Sequence, residues 1–255
     1  TAISLADADY AFIGETGGDK AGYSVSGAGD VNGDGLDDIL IGANDYGASN
    51  EGQVYLVLGS SLGSDAEIDL ADVAYVFIGE VEDDYAGYSV SSAGDVDGDG
   101  LDDLLVGAFY NADGGSNAGK AYLVLGASLG ADAEIDLSDA DYAFIGETDG
   151  DHAGFSLSGA GDVDGDGLDD LLVGAHSNDD GGSNAGKIYL LLAPTACNTA
   201  PRGTDISISP SDPIEGEDDL VCLIDTEAYD ADGDSITYSF DWEVDGSSFT
   251  DTYTT

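Results

Sequence analysis

Methionine is absent from the 255 residues, and lysine and arginine together occur four times, at Lys20, Lys120, Lys187 and Arg202. Against them stand 54 acidic residues, for a formal charge of −50. A chain this poor in cations has no basic patch, which excludes nucleic acid and anionic membrane surfaces as partners. No apolar run reaches the roughly 20 residues of a membrane helix, and no signal-peptide pattern opens the chain. A start at Thr1 without methionine reads as a processed product or a fragment. Cysteine occurs twice, at Cys197 and Cys222. Paired, the two would close a loop worth about 3–4 kcal/mol in the chain-entropy model; two buried thiols are the alternative. The hydrophobic fraction of 42% argues against wholesale disorder. The acid must therefore be neutralised by cations or spread over a hydrated surface.

What the chain does have is repetition. Asp30-Val-Asn-Gly-Asp-Gly-Leu-Asp-Asp38 returns as Asp95-Val-Asp-Gly-Asp-Gly-Leu-Asp-Asp103 and Asp162-Val-Asp-Gly-Asp-Gly-Leu-Asp-Asp170, at spacings of 65 and 67 residues. A period of this size marks one supersecondary unit used repeatedly. Each unit holds short apolar runs bounded by glycine, and no segment sustains helical spacing. In the second copy the runs are Gly87–Ser91, Leu101–Ala108, Lys120–Leu125 and Asp141–Gly146. Four strands per unit predict an all-β fold of β-propeller-type blades.

The acidic loops have the composition of a calcium site. Calcium takes six to eight oxygens at about 2.3–2.6 Å. Side chains at positions 1, 3 and 5, a carbonyl at 7 and a carboxylate at 9 can wrap one ion. The three sets are Asp30, Asn32, Asp34, Leu36 (carbonyl) and Asp38; Asp95, Asp97, Asp99, Leu101 (carbonyl) and Asp103; and Asp162, Asp164, Asp166, Leu168 (carbonyl) and Asp170. Asp37, Asp102 and Asp169 at position 8 are expected to point away from the ion and solvate the surface. Without a cation, four acidic side chains would crowd within a few ångströms at high cost. About three Ca2+ ions are expected. A weaker set, Asp230, Asp232 and Asp234, has the spacing of positions 1, 3 and 5, but Tyr238 stands where a ninth-position carboxylate belongs.

Each copy couples Gly-Tyr/Phe-Ser-Val/Leu, the acidic loop and a Gly-Ala dipeptide over roughly residues 1–193. This pattern resembles the FG-GAP repeats of integrin α-subunit propellers and of bacterial surface proteins. Ala21, Ala86 and Ala153 replace the Phe of the signature, and Asn44, Phe109 and His176 replace its Pro. The blades are placed at 15–79, 80–146 and 147–193, with a leading fourth strand near 10–14 that matches Tyr75–Gly79 and Tyr142–Gly146. The last blade stops at its third strand, Lys187–Leu192. Three readings stay open: a truncated propeller, completion by another chain, or closure of a three-bladed ring within one chain. Residues 194–255 look like part of a cadherin-like or PKD-like sandwich. Its strands are expected at Asp205–Ser209, Leu220–Ile224 and Ile236–Val244, with Trp242 as core aromatic. A whole sandwich needs about 100 residues, so the module is expected to be partial.

Catalytic patterns fail on inspection. Gly114–Lys120 and Gly181–Lys187 satisfy Gly-x4-Gly-Lys, but Ala121 and Ile188 follow where a phosphate loop needs Ser or Thr. Gly22–Ser26 approaches a nucleophile elbow without its final glycine. His152 and His176 lie far apart with no third zinc ligand. The expectation is a non-enzymatic, secreted, calcium-stabilised structural or adhesive protein, extracellular or on a bacterial cell surface. A self-assembling fibre subunit and the propeller of a larger secreted hydrolase are the alternatives. Cytosolic free calcium is too low to fill weak sites, which favours the extracellular setting.

Overall fold

The blade strands from Ser24 to Leu191 follow from the repeat. The computed structural model describes residues 3–47, 49–130 and 133–193, and beyond them the strand backbones 205–209, 221–226, 237–244 and 247–254. The chain divides into two units, Thr1–Ala193 and Pro194–Thr255.

The first unit holds β1 (Ala11–Ile13), β2 (Ser24–Gly29), β3 (Asp38–Ala43), β4 (Gln53–Val57), β5 (Glu67–Asp69) and β6 (Tyr75–Ile78). It continues through β7 (Ser89–Gly94), β8 (Asp103–Ala108), β9 (Lys120–Val124), β10 (Glu134–Asp136), β11 (Tyr142–Ile145), β12 (Ala153–Gly161), β13 (Asp170–Ala175) and β14 (Lys187–Leu191). Blade 1 is the antiparallel meander β2-β3-β4-β6, blade 2 is β7-β8-β9-β11, and blade 3 is β12-β13-β14. Residues 1–193 are thus all-β, built of FG-GAP-type blades as expected. β1 pairs in parallel with β5, and among the described residues no pairing of β1 with the last blade, one of the three open readings, is present.

The long connection between the third and fourth strands carries an element that periodicity missed. In blade 1 it forms β5, which pairs in parallel with β1; in blade 2 it forms β10, which pairs in parallel with β6 of blade 1. Blade 2 therefore reaches back to add a fifth strand to blade 1, and blade 1 makes the same reach onto β1. Directly after each fifth strand a short 3-10 turn begins, Leu70–Asp72 or Leu137–Asp139, its first amides capped by Asp69 or Asp136. Leu70 and Leu137 drop from these turns into the interblade core and are 0% and 1% exposed. Leu70 joins Ile41, Tyr55 and Val57, with Phe12 packed against them. Leu137 joins Phe77, Val106, Tyr122 and Val124.

Small residues line the innermost strands because neighbouring backbones nearly touch there. Ser24 Oγ donates to the Gly87 carbonyl at 2.7 Å, and Ser89 Oγ to the Gly154 carbonyl at 2.7 Å, tying each blade to the next. The alanines that replace the signature Phe serve the same close approach. Ala86 and Ala153 are buried and bridge to Gly52 and Gly119 of the preceding blade. A β-bulge ends each inner strand. There Gly29 and Gly94 take φ of +77°, a left-handed conformation that turns the chain into the acidic loop.

The second unit contains two antiparallel pairs, β15 (Asp205–Ser209) with β16 (Val221–Thr226), and β17 (Thr237–Val244) with β18 (Ser247–Thr254). Three of these strands match the expected segments, and β18 was not anticipated. Cys222 lies on β16, whereas Cys197 and Asp230, Asp232 and Asp234 fall outside the described residues.

Candidate metal centres

Each acidic loop connects the first and second strands of a blade, so all three lie at one end of the repeat unit. The turn is built by side chain to backbone hydrogen bonds. In the first loop the Asp34 amide donates to Asp30 Oδ1 at 3.0 Å and to Asn32 Oδ1 at 2.8 Å; the Gly35 amide donates to Asp30 Oδ2 at 2.8 Å. The Leu36 amide closes onto Asp34 Oδ1 at 3.0 Å. The other loops repeat the scheme, with Gly100 and Gly167 donating to Asp95 and Asp162 and with Leu101 and Leu168 donating to Asp99 and Asp166. Glycine at position 6 is required, because φ there is +86°, +88° and +97°.

The result is convergence of acid. Asp95, Asp97 and Asp99 each offer a carboxylate oxygen within 4.8 Å of the others, as do Asp162, Asp164 and Asp166. Three hard, anionic oxygen donors in a water-accessible turn suit a hard divalent cation, the class to which calcium belongs.

Position 9 plays a larger part than its place in the loop suggests. Asp38, Asp103 and Asp170 are all buried. Asp103 accepts from the Val96 amide on one oxygen and the Gly126 amide on the other, both at 2.9 Å. Asp38 does the same with Val31 and Gly59, and Asp170 with Val163 and Ala193. Each carboxylate thus clamps its loop to the end of the third strand and keeps a lone pair on each oxygen for a cation. Burial pushes the Asp103 carboxyl up to about 7; the two amides oppose this, and Asp97 and Asp99 add to it. Burial likewise raises Asp38, with Asp34 and Asp30 contributing. A cation among these groups would remove that penalty.

Position 8 departs from expectation. Asp102 and Asp169 do not simply solvate the surface. Asp102 Oδ2 accepts from the Asp30 amide at 2.8 Å, and Asp169 Oδ2 from the Asp95 amide at 3.0 Å. Each loop is stapled to the first residue of the loop before it. The reason is the blade-to-blade spacing, which no single repeat displays. Leu101 and Leu168 beside them lie over Gly33 and Gly98 of the preceding loops. Asp37, with no earlier loop beside it, is exposed as expected.

At the opposite strand ends the structure gathers residues that sequence reasoning kept apart. Tyr23, Tyr88 and Phe155 open the three inner strands and form a run, with ring centroids 4.9 and 5.0 Å apart. Phe109 sits 4.1 Å from Tyr88, and His176 sits 3.9 Å from Phe155. His152 and His176 stack at 5.3 Å, and Ser177 Oγ lies within hydrogen-bonding distance of both rings. Burial, and then the neighbouring His176, lower the His152 pKa. The usable signal was positional: Tyr23, Tyr88 and Phe155 share one slot of the repeat, Phe109 and His176 a second, and His152 a third.

The Gly-x4-Gly-Lys segments are turns leading into β9 and β14. Lys120 is buried and bridges Glu80 at 2.8 Å and Asp113 at 2.7 Å; Lys187 bridges Glu147 at 2.6 Å and Asp180 at 2.9 Å. Each lysine thus neutralises two acids at the turn leading into its strand, and of the four only Glu80 is largely shielded from water.

The FG-GAP repeat model matches residues 21–57, 86–124 and 153–191. The chain carries three FG-GAP repeats. Their boundaries coincide with the first three strands of each blade. Among curated proteins the chain is similar to integrin alpha-PS2 of Drosophila melanogaster, 35% identical over 170 residues. It is also similar to integrin alpha-5 of Xenopus laevis, 34% over 185 residues, and integrin alpha-IIb of Homo sapiens, 32% over 200 residues. These alignments take in 64%, 67% and 74% of this chain but only 12%, 16% and 18% of the relatives. The FG-GAP repeats thus form an integrin α-like propeller segment.

Proposed function

We propose that this chain is a calcium-stapled, non-enzymatic adhesion or scaffold module that works outside the cell. The observation that carries the reading is the acidic loop repeated three times with its ninth-position carboxylate buried in the blade. A calcium ion held by Asp95, Asp97, Asp99, the Leu101 carbonyl and Asp103 would cancel the repulsion among these acids. It would also lock the loop to the third strand through Asp103. The same holds for the sets beginning at Asp30 and Asp162. The similarity to integrin alpha chains supports adhesion. The aromatic and histidine cluster, at the strand ends away from the metal loops, is the surface offered to a cell-surface or matrix ligand. A second reading, self-association through the unfinished third blade, is favoured by the edge of β14, where Ile188 and Leu190 are exposed.

Calorimetric titration with calcium and melting with and without EDTA test the proposal. Three ions are expected in residues 1–193. Ligand linkage gives about 2.7 kcal/mol per site at a hundredfold excess over Kd. Chelation should therefore lower the melting temperature by roughly 5–10 °C per site. An unchanged melt in EDTA would overturn the structural role of calcium.

A further inference from the structure

The interblade contacts repeat so faithfully that the missing ones can be named. Between β11 and blade 3 lies a cavity of about 370 Å³ lined by Phe144, Ile145, Val173, Tyr189 and Leu191. In the two earlier interblade spaces the corresponding walls close around Leu70 and Leu137. Here no leucine enters, and the outer edge of β11 has no fifth strand among the described residues.

The missing piece is present elsewhere in the chain. Ile3-Ser-Leu-Ala-Asp7 reproduces Ile68-Asp-Leu-Ala-Asp72 and Ile135-Asp-Leu-Ser-Asp139. It already has their local structure: Leu5–Asp7 is a 3-10 turn whose Ala6 amide is capped by Ser4, as Asp69 and Asp136 cap theirs. Yet Leu5 is 92% exposed, and Ile3 is exposed as well. One plug lacks a socket, and one socket lacks a plug.

Two further pairs follow the same rule. Leu36 and Asp37 are exposed, whereas Leu101–Asp102 and Leu168–Asp169 rest on the preceding loop. At the other end, space lies open around Gly161 and Gly165, whose equivalents Gly29, Gly33, Gly94 and Gly98 are covered by those residues. In these contacts the first blade presents the covering half and the third blade the covered half.

We infer that two copies of this chain join head to tail, each inserting Leu5 into the cavity between β11 and blade 3 of the other and adding β1 to the edge of β14. Ile3 would then lie opposite Phe144, as Ile68 lies opposite Phe12 and Ile135 opposite Phe77. The inference deepens the self-association reading by naming the partner and its residues. Two copies make six blades, within the usual four to eight, whereas three would make nine. A head-to-tail contact that closes is a ring; one that does not is a filament. Calcium belongs in the assay, because two chains of −50 repel one another unless the loops are neutralised.

Sedimentation of the 255-residue chain in calcium should show a species of twice the 25.7 kDa chain mass. Leu5→Asp should sediment as the single chain while binding the same number of calcium ions. Leu5 is exposed in the single chain, so the substitution leaves its fold intact, and the calcium count separates failure of the ring from failure of the metal reading. As a second measurement, an Ile3→Cys chain and a Phe144→Cys chain, both with Cys197 and Cys222 changed to serine, are mixed and oxidised. A disulfide between the two different chains is expected. A monomeric wild type, an open polymer, a Leu5→Asp dimer, or the absence of a disulfide between the two different chains would each overturn the inference.

Discussion

Asp84 shows how one carboxylate can carry both order and strain. It is buried and accepts from Asn111 Nδ2 at 2.7 Å. Burial raises its pKa to about 6; the Asn111 hydrogen bond and Lys120 oppose this, and Glu80 and Asp113 add to it. With the folded value above the unfolded one, Asp84 favours the fold below the ordinary carboxylate range and loses that contribution as pH rises through about 6. Asp84→Asn should therefore gain melting temperature relative to wild type as pH is raised from 4 to 7; a flat difference would contradict the burial argument. Ligand charge makes the second residue-scale expectation. Asn32 stands where the other loops have Asp97 and Asp164, so the first site should bind calcium most weakly. Calorimetry on chains with two of the three loops disabled would show it, and equal or tighter binding at the first loop would count against the ranking.

At the scale of the element, the fifth strand and its leucine turn hold neighbouring blades together. Leu137 is surrounded by Phe77 of blade 1 and Val106, Tyr122 and Val124 of blade 2. Leu137→Ala should cost about 2–5 kcal/mol, read by denaturant melts, because the blades close around the site and cannot collapse freely. The four blade strands were readable from glycine-bounded apolar runs. The fifth strand was not, because three residues are too short to display a period and the pairing is to another blade. Likewise, the staple by Asp102 and Asp169 joins residues 72 and 74 positions apart in sequence. Composition can assign such aspartates to a loop but cannot name their acceptor.

The whole molecule is governed by charge. With −50 on 255 residues, self-repulsion opposes the compact state, and bound calcium and screening salt both relieve it. Added potassium chloride should raise the melting temperature in EDTA and have a smaller effect in calcium. The reverse order would mean that general repulsion is not what calcium offsets. Buried Lys120 fits the same picture: burial works against its charge, but Asp113 and Glu80 outweigh it and hold the ammonium above its usual range.

The sequence by itself determined the unit, its strands, and the oxygen-rich loop, because these depend on neighbours within nine residues and on a spacing that recurs. It also placed a leading strand before the first blade and the three strands of the last blade that lie among the described residues. Only the tertiary structure decided what each repeat does to the next: which aspartate staples, which alanine permits backbone contact, which leucine fills the interblade core. Those roles depend on packing between residues some 30 to 75 positions apart. A periodic sequence shows the same letters at a filled socket and at an open one.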